Sequence, residues 1–150
     1  MAEYIENAPQ SVALNNPLIF TASIPCTKGY IWHEDGTANF TLRGVTNNCF
    51  ARYQLNFGAN VAIPTGGTVT PIGIAIAVNG EVRPSSLAIS TPAAVEEYDN
   101  VSCSAIITVP RGCCFNVSVR YVDATASDPA VTPTPTIEVA NSNLTISRIA

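Results

Sequence analysis

One stretch decides the fold class: Ile72-Gly73-Ile74-Ala75-Ile76-Ala77-Val78-Asn79-Gly80. A short apolar run that ends at turn residues indicates a buried β-strand. Asn79-Gly80 is the strongest short-range signal for a β-hairpin, because both positions of a tight hairpin turn require a positive φ. Glycine and alanine at alternate positions favour the close approach of another backbone. The stretch therefore predicts a buried strand that turns back on itself.

Segments of the same kind lie on both sides of this stretch. They alternate apolar and polar residues, or run apolar for a few residues, and stop at Gly, Pro or Asn. Strands are predicted at 18–24, 30–33, 38–43, 49–57, 60–63, 81–83, 87–90, 101–109 and 114–122, with a closing hairpin of 136–140 and 143–149 that turns at Asn141-Ser142. Residues 91–98 form either one helical turn capped by Thr91 or a loop.

This spacing of short strands is typical of a sandwich or barrel. We predict an all-β fold, an antiparallel β-sandwich of the jelly-roll type with about 8–10 strands. Residues 18–150 form a single domain in this prediction. Residues 1–17 are predicted to form an N-terminal arm without regular structure, because Asn7-Ala8-Pro9 and Pro17 interrupt any strand or helix.

Charge is scarce in this chain of 150 residues. Lys, Arg, Asp and Glu make up 12% of it, against about 25% in an average soluble domain. The hydrophobic share is 47% and the net charge is −4. A disordered chain has few apolar residues, a nucleic-acid-binding protein is basic, and a helical bundle is rich in Glu and Lys. These three classes are excluded, and no nucleic-acid partner is expected.

Neither a membrane segment nor an export signal is predicted. No apolar run approaches the roughly 18 residues that a membrane-spanning helix needs. The first ten residues contain two acids and no basic residue, whereas a secretory signal begins with a basic region. We expect a protein that is made in the cytosol, remains soluble and has no membrane partner.

The cysteines are odd in number and do not have the spacing of metal ligands. Their positions are Cys26, Cys49, Cys103, Cys113 and Cys114. No C-x-x-C pair occurs and there is one histidine, so no zinc site is predicted. Two interpretations stay open: the cysteines are small buried apolar residues, or one or two disulfides form after release from the cell.

Any catalytic triad would have to use His33, which lies in the segment Trp32-His33-Glu34-Asp35-Gly36. A histidine beside a carboxylate can activate a nucleophile, but a histidine at the exposed end of a strand fits the position better. Glu96-Glu97, Asp123 and Asp128 are interpreted as surface acids rather than as a catalytic pair. We predict no catalytic, cofactor-binding or metal-binding residue, and no enzyme activity.

Several segments resemble a known group of proteins. They are 63–69, 72–80, 91–95, 109–115 and 143–150. Together they resemble small virion proteins of Firmicutes phages and prophages, which are similar to the trimeric jelly rolls of the tumour-necrosis-factor (TNF) and C1q type. The resemblance covers roughly residues 18–150 and carries over no functional residue or cofactor. It implies a homotrimeric capsid decoration protein, made in the host cytoplasm and located on the capsid surface of the virion, with the major capsid protein as its partner.

Two features of this interpretation stay open. The contact at the three-fold axis is either the run Phe50, Tyr53 and Phe57 or the strand 72–78. The arm of residues 1–17 is expected to lie on the shell or to pair with a neighbour's sheet edge. The alternative function is a head- or tail-fibre module that binds host surface carbohydrate. For that function Trp32 and Tyr30 are the candidate sugar-stacking platform, whereas a single Trp packed on a sheet is the plainer interpretation.

Overall fold

The computed structural model describes residues 2–24, 29–124 and 132–150. Twelve strands lie within these ranges: β1 (Ala2–Glu6), β2 (Gln10–Ala13), β3 (Ala22–Ile24), β4 (Ile31–His33), β5 (Phe40–Arg43), β6 (Phe50–Ala62), β7 (Ile72–Val78), β8 (Glu81–Val82), β9 (Ala88–Ser90), β10 (Asp99–Pro110), β11 (Cys114–Asp123) and β12 (Thr136–Arg148). A single 3-10 turn, Pro84–Ser86, precedes β9.

The strands form two antiparallel sheets. The first has the order β10-β6-β12-β1-β3, with β2 also paired to β12, and the second has the order β4-β5-β11-β7-β8, with β9 also paired to β7. This confirms the predicted antiparallel β-sandwich. The strands outnumber the expected 8–10 because several edge strands, such as β8, are only two or three residues long.

The core lies between the two sheets and follows from the alternation along each strand. In β6 the side chains of Tyr53, Leu55 and Phe57 point inward and are buried, whereas those of Gln54 and Asn56 point to solvent. Aromatic rings from both sheets meet in this core: those of Tyr4 in β1 and Phe40 in β5 are 4.6 Å apart.

The stretch that decides the fold class forms β7, with the predicted bounds of Ile72 and Val78. Asn79 and Gly80 both have a positive φ, of 51° and 85°, as a tight hairpin turn requires. A Cβ on Gly73 would lie 2.8 Å from the carbonyl oxygen of Val122. The predicted close approach of another backbone at this strand is therefore confirmed.

Two predictions that divide one strand into two are wrong. Residues 49–57 and 60–63 join in the one strand β6, because its ladder with β10 is unbroken from Phe50 to Val61. The closing hairpin is also a single strand, β12. Asn141 has a φ of 54°, but the register on β6 shifts between Ala140 and Asn143 and then continues. The Asn141-Ser142 pair is thus a β-bulge and not a turn.

The sequence predicts no regular structure before residue 18, and this prediction is also wrong. β1 lies inside the first sheet, paired with β12 on one side and with β3 on the other. β2 pairs with the first part of β12, from Thr136 to Val139, before the bulge. The side chains of Tyr4 and Val12 are buried in the core, so these strands are integral to the sheet and are not an arm.

Between residues 91 and 98 the structure has turns and no helix, so the loop alternative is the correct one. The predicted strand 18–24 is reduced to β3, and Phe20 forms an isolated bridge with Thr37.

Candidate functional site

His33 is held by packing and by backbone carbonyls. Its ring stacks on Phe40 at 4.1 Å and meets the edge of Tyr4 at 5.0 Å. Nδ1 lies 2.9 Å from the carbonyl oxygen of Asn39, and Nε2 lies 3.3 Å from that of Phe20. Because both ring nitrogens face backbone carbonyl oxygens, neither is placed to take a proton from a nucleophile. His33 therefore packs the edge of the core and forms no triad.

The acidic residues do not converge. Glu96 accepts a hydrogen bond from the Thr65 hydroxyl, Glu97 and Asp123 are exposed, and Asp128 lies outside the described residues. Within the described ranges, no group of three or more His, Cys, Asp or Glu side chains is arranged to hold a metal ion.

The cysteines are more exposed than the buried interpretation predicts. Cys49, Cys113 and Cys114 are free and exposed, and Cys103 is free and partly buried. Cys26 lies outside the described residues. The burial prediction is wrong for the three exposed thiols, which lie where β6 and β11 begin and in the turn before β11, at one end of the sandwich.

Burial raises the pKa of the Cys103 thiol to about 11. Since the thiolate is the reacting species, we expect alkylation at pH 8 to modify Cys103 later than Cys49, Cys113 and Cys114. Labelling of Cys103 should accelerate as the pH approaches 11. Peptide mass spectrometry after timed alkylation measures the order. In denaturant the difference should vanish, and equal rates in the folded protein would contradict the buried placement.

The outer face of the first sheet is polar and nearly free of charge. In the centre, Ser104 of β10, Asn56 of β6 and Thr145 of β12 lie side by side in register. The next row contains Ile106, Gln54 and Ser147. Amides and hydroxyls in flat rows, rather than Lys and Glu, cover this face.

Charged and apolar groups on this outer face are few. Glu3 continues the row beyond Thr145, with which it is in register, and the others lie toward the margins. Glu3 of β1 accepts a hydrogen bond from the amide of Asn143, and Arg52 lies near the end of β6. Phe50 and Ile106 are exposed at 48% and 53%. Depletion of charge together with an exposed aromatic residue such as Phe50 is typical of protein–protein interfaces.

Neither predicted axis contact is available for an interface. The rings of Tyr53 and Phe57 lie inside the sandwich, and of the predicted run only Phe50 is exposed. The residues of β7 from Ile72 to Ala77 are buried within the single chain. Tyr53 and Phe57 lie on the inward side of β6, whose even-numbered positions face outward, and β7 is buried on both sides.

Trp32 and Tyr30 do not form a common platform. Trp32 is 55% exposed on β4 of the second sheet. The ring of Tyr30 lies 4.2 Å beneath the guanidinium of Arg148, which comes from the first sheet. Tyr30 is therefore engaged in a cation–π contact, and Trp32 remains as the exposed aromatic residue of the pair.

Comparison with known proteins finds a match in fold and none in sequence. No family model and no curated protein sequence matches the chain. The globular domain of the zebrafish complement 1qA protein superposes with a TM-score of 0.60 at 13% identity, over 96% of this chain and 94% of that one. Eiger TNF from S. frugiperda superposes with a TM-score of 0.62 at 8% identity, over 100% of this chain and 92% of that one.

The chain has the jelly-roll fold of these globular domains. The predicted fold of the TNF and C1q type is thereby confirmed, while identities this low establish the fold alone. In the part of this jelly roll that the structure describes, no helix is both long and apolar enough to cross a membrane.

Sequence reasoning missed the outer face of the first sheet as a surface. Two features of the sequence point to this surface: the low overall charge, and the uncharged polar residues at the outward positions of β6, such as Gln54 and Asn56. Placing Ser104 and Thr145 beside Asn56 requires the strand register, which the sequence does not supply.

Proposed function

We propose that this jelly roll is a non-enzymatic subunit of a homotrimer and that the outer face of its first sheet is the contact between subunits. The observation that carries the proposal is the row Ser104, Asn56 and Thr145, which is uncharged across three neighbouring strands of the six-stranded sheet. Three is supported as the number of subunits because globular domains of the C1q and TNF type commonly form homotrimers.

The size of this face suits the proposal. β6 and β12 have 13 residues each, and at about 3.3 Å per residue they extend about 40 Å. Five strands about 4.8 Å apart give a width of about 20 Å. The resulting face of about 800 Å² matches what one partner buries in a stable interface, about 800 Å².

Asn56→Arg tests the contact. It places a long cation at the centre of the proposed interface, where burial of an unpaired charge costs several kcal/mol. We expect the variant to fold with an unchanged melting temperature as a monomer and to run in light scattering at the subunit mass of 15.8 kDa, while the natural protein runs at three times that mass.

The matched control is Thr68→Arg, which adds the same cation at an exposed position outside both sheets and should leave the trimer intact. A natural protein that is monomeric at working concentration would refute the proposal. So would an Asn56→Arg variant that stays trimeric.

We further propose that the trimer decorates a phage capsid shell and that the major capsid protein is its partner, which would locate the protein on the virion surface. The resemblance of segments such as 72–80 and 109–115 to Firmicutes phage proteins supports this finer proposal. Many identical copies on a shell add avidity to weak single contacts, so a subunit of this kind needs no pocket with converging titratable groups.

Sedimentation with expanded capsid shells tests the capsid role. The natural trimer is expected to co-sediment with the shells, and the monomeric Asn56→Arg variant to remain largely in the supernatant because it loses avidity. If the natural trimer does not co-sediment, decoration is refuted while the trimer itself stands.

A further inference from the structure

A row of three side chains crosses the outer face of the second sheet. Trp32 of β4 is in register with Thr41 of β5, and Thr41 is in register with Asn116 of β11. The next residues of their strands, such as Leu42 and Val117, are buried in the core or line it. Alternation therefore directs Trp32, Thr41 and Asn116 to the same solvent-facing side.

The polar members of this row are held in place. The Thr41 hydroxyl donates to Oδ1 of Asn116 at 3.0 Å. The backbone N–H of Asn116 donates to Oδ1 of Asn79, also at 3.0 Å. Because its Oδ1 is engaged, the amide of Asn116 has a set orientation, and its Nδ2 is the group that remains to donate. Within residues 2–24, 29–124 and 132–150, Nδ2 of Asn116 and Nε1 of Trp32 form no hydrogen bond.

We propose that the row Trp32, Thr41 and Asn116 is a binding site for a neutral saccharide. One face of a pyranose ring consists of C–H bonds, which pack against the electron-rich face of an indole. Neighbouring strands are about 4.8 Å apart, so a sugar on Trp32 brings its own hydroxyls, or those of the next sugar unit, to Thr41 and Asn116. An apolar platform with a few oriented polar groups is the usual composition of a small-ligand site.

Charge selects a neutral ligand over an acidic one. The row contains no ionisable side chain, and the whole chain carries a net charge of −4. Arg43 is exposed on the same face and pairs with Cys114, one row away from Thr41 and Asn116. A neutral sugar held on the Trp32 row does not need this cation, which makes Arg43 the control position.

The site is independent of the proposed trimer. It lies on the second sheet, and the proposed subunit contact lies on the outer face of the first, so a monomer presents the row unchanged. In a trimer the three rows would all point away from the axis and would bind a multivalent surface with avidity.

Trp32 is the only tryptophan of the chain, so intrinsic fluorescence reports this site directly. The experiment screens the natural protein on an array of neutral and acidic oligosaccharides and then titrates the best neutral one while following the emission. We expect saturable quenching or a blue shift. Trp32→Ala should reduce array binding by about tenfold or more, and Thr41→Val and Asn116→Ala each by severalfold.

Trp32→Phe and Arg43→Gln complete the set. The Phe variant keeps an aromatic face and should retain part of the binding, whereas the Gln variant should bind like the natural protein. Melting temperatures confirm that each variant is folded. The proposal is overturned if no neutral oligosaccharide binds, if binding survives Trp32→Ala, or if Arg43→Gln abolishes it. Asn56→Arg should bind the sugar like the natural protein, because the row lies on the other sheet. If Asn56→Arg stayed trimeric while the fluorescence titration was retained, the proposed subunit contact would fall and this site would stand.

Discussion

Gly44→Ala is expected to destabilise the fold by about 3 kcal/mol or more. A Cβ at this position would lie 2.0 Å from the carbonyl oxygen of Pro110, a backbone atom that cannot rotate away. Two backbone hydrogen bonds also hold Gly44 against this turn. Its N–H donates to the carbonyl oxygen of Cys113 at 2.8 Å, and its carbonyl oxygen accepts from the N–H of Gly112 at 3.0 Å. The methyl group must therefore separate two hydrogen-bonded turns, and the melting temperature should fall by about 10 °C.

Gly58→Ala is the matched control for this experiment. Gly58 lies within β6, where a Cβ would meet nothing within 4 Å. Its melting temperature should stay the same or rise slightly, because alanine restricts the unfolded chain. If thermal unfolding gave the two variants equal melting temperatures, the close approach at Gly44 would be disproved.

Removal of residues 1–17 is expected to prevent folding. β1 lies between β12 and β3, with five residue pairs on β12 from Ala2–Ile146 to Glu6–Ser142. Its loss would expose the edge of β12 inside the sheet and would remove the Tyr4 ring that packs on Phe40 in the core. Expression of the shortened chain should yield aggregates, and far-ultraviolet circular dichroism of any soluble fraction should lack the β-sheet signal.

A point variant tests the same placement without cutting the chain. Tyr4→Ala removes a buried ring that packs on Phe40 at 4.6 Å and should cost about 3–5 kcal/mol. Ile5→Ala changes the next residue, which faces outward, and should cost less than about 1 kcal/mol. A soluble, cooperatively unfolding protein without residues 1–17 would show that β1 is dispensable, as would equal stabilities for the two point variants.

The sequence predicts the sandwich well where local pattern and tertiary structure agree. β7 has its predicted bounds because a continuous apolar run of only seven residues, bounded by turn residues, favours a buried strand over a helix. The alternation of apolar and polar residues along β6 likewise agrees with its inward and outward side chains, except at Phe50, which is exposed. These features depend on side-chain period, which a sequence displays directly.

The sequence does not predict features that depend on a distant partner strand. Asn141 with a positive φ fits a hairpin turn as well as a bulge, and only the continuous ladder on β6 decides between them. Tyr4 lies in a short segment before a proline. Its strand forms because it pairs with β12, where its partner residue is Leu144. For the candidate surfaces, the sequence supplies Trp32 as an aromatic residue but not its row with Thr41 and Asn116, which requires the register of three strands.

The pairing of β1 with β12 also determines when this protein can fold. The first sheet cannot close until the last strand has left the ribosome, because β12 joins β6 to β1. Sheets built from such distant contacts fold slowly, in milliseconds to seconds. Until β12 emerges, one edge of β6 has no partner strand, and the inward side chains of Leu55 and Phe57 are not fully covered. The interval before closure is therefore the period of greatest aggregation risk, and it lengthens with every slowing of translation between the codons of β6 and those of β12.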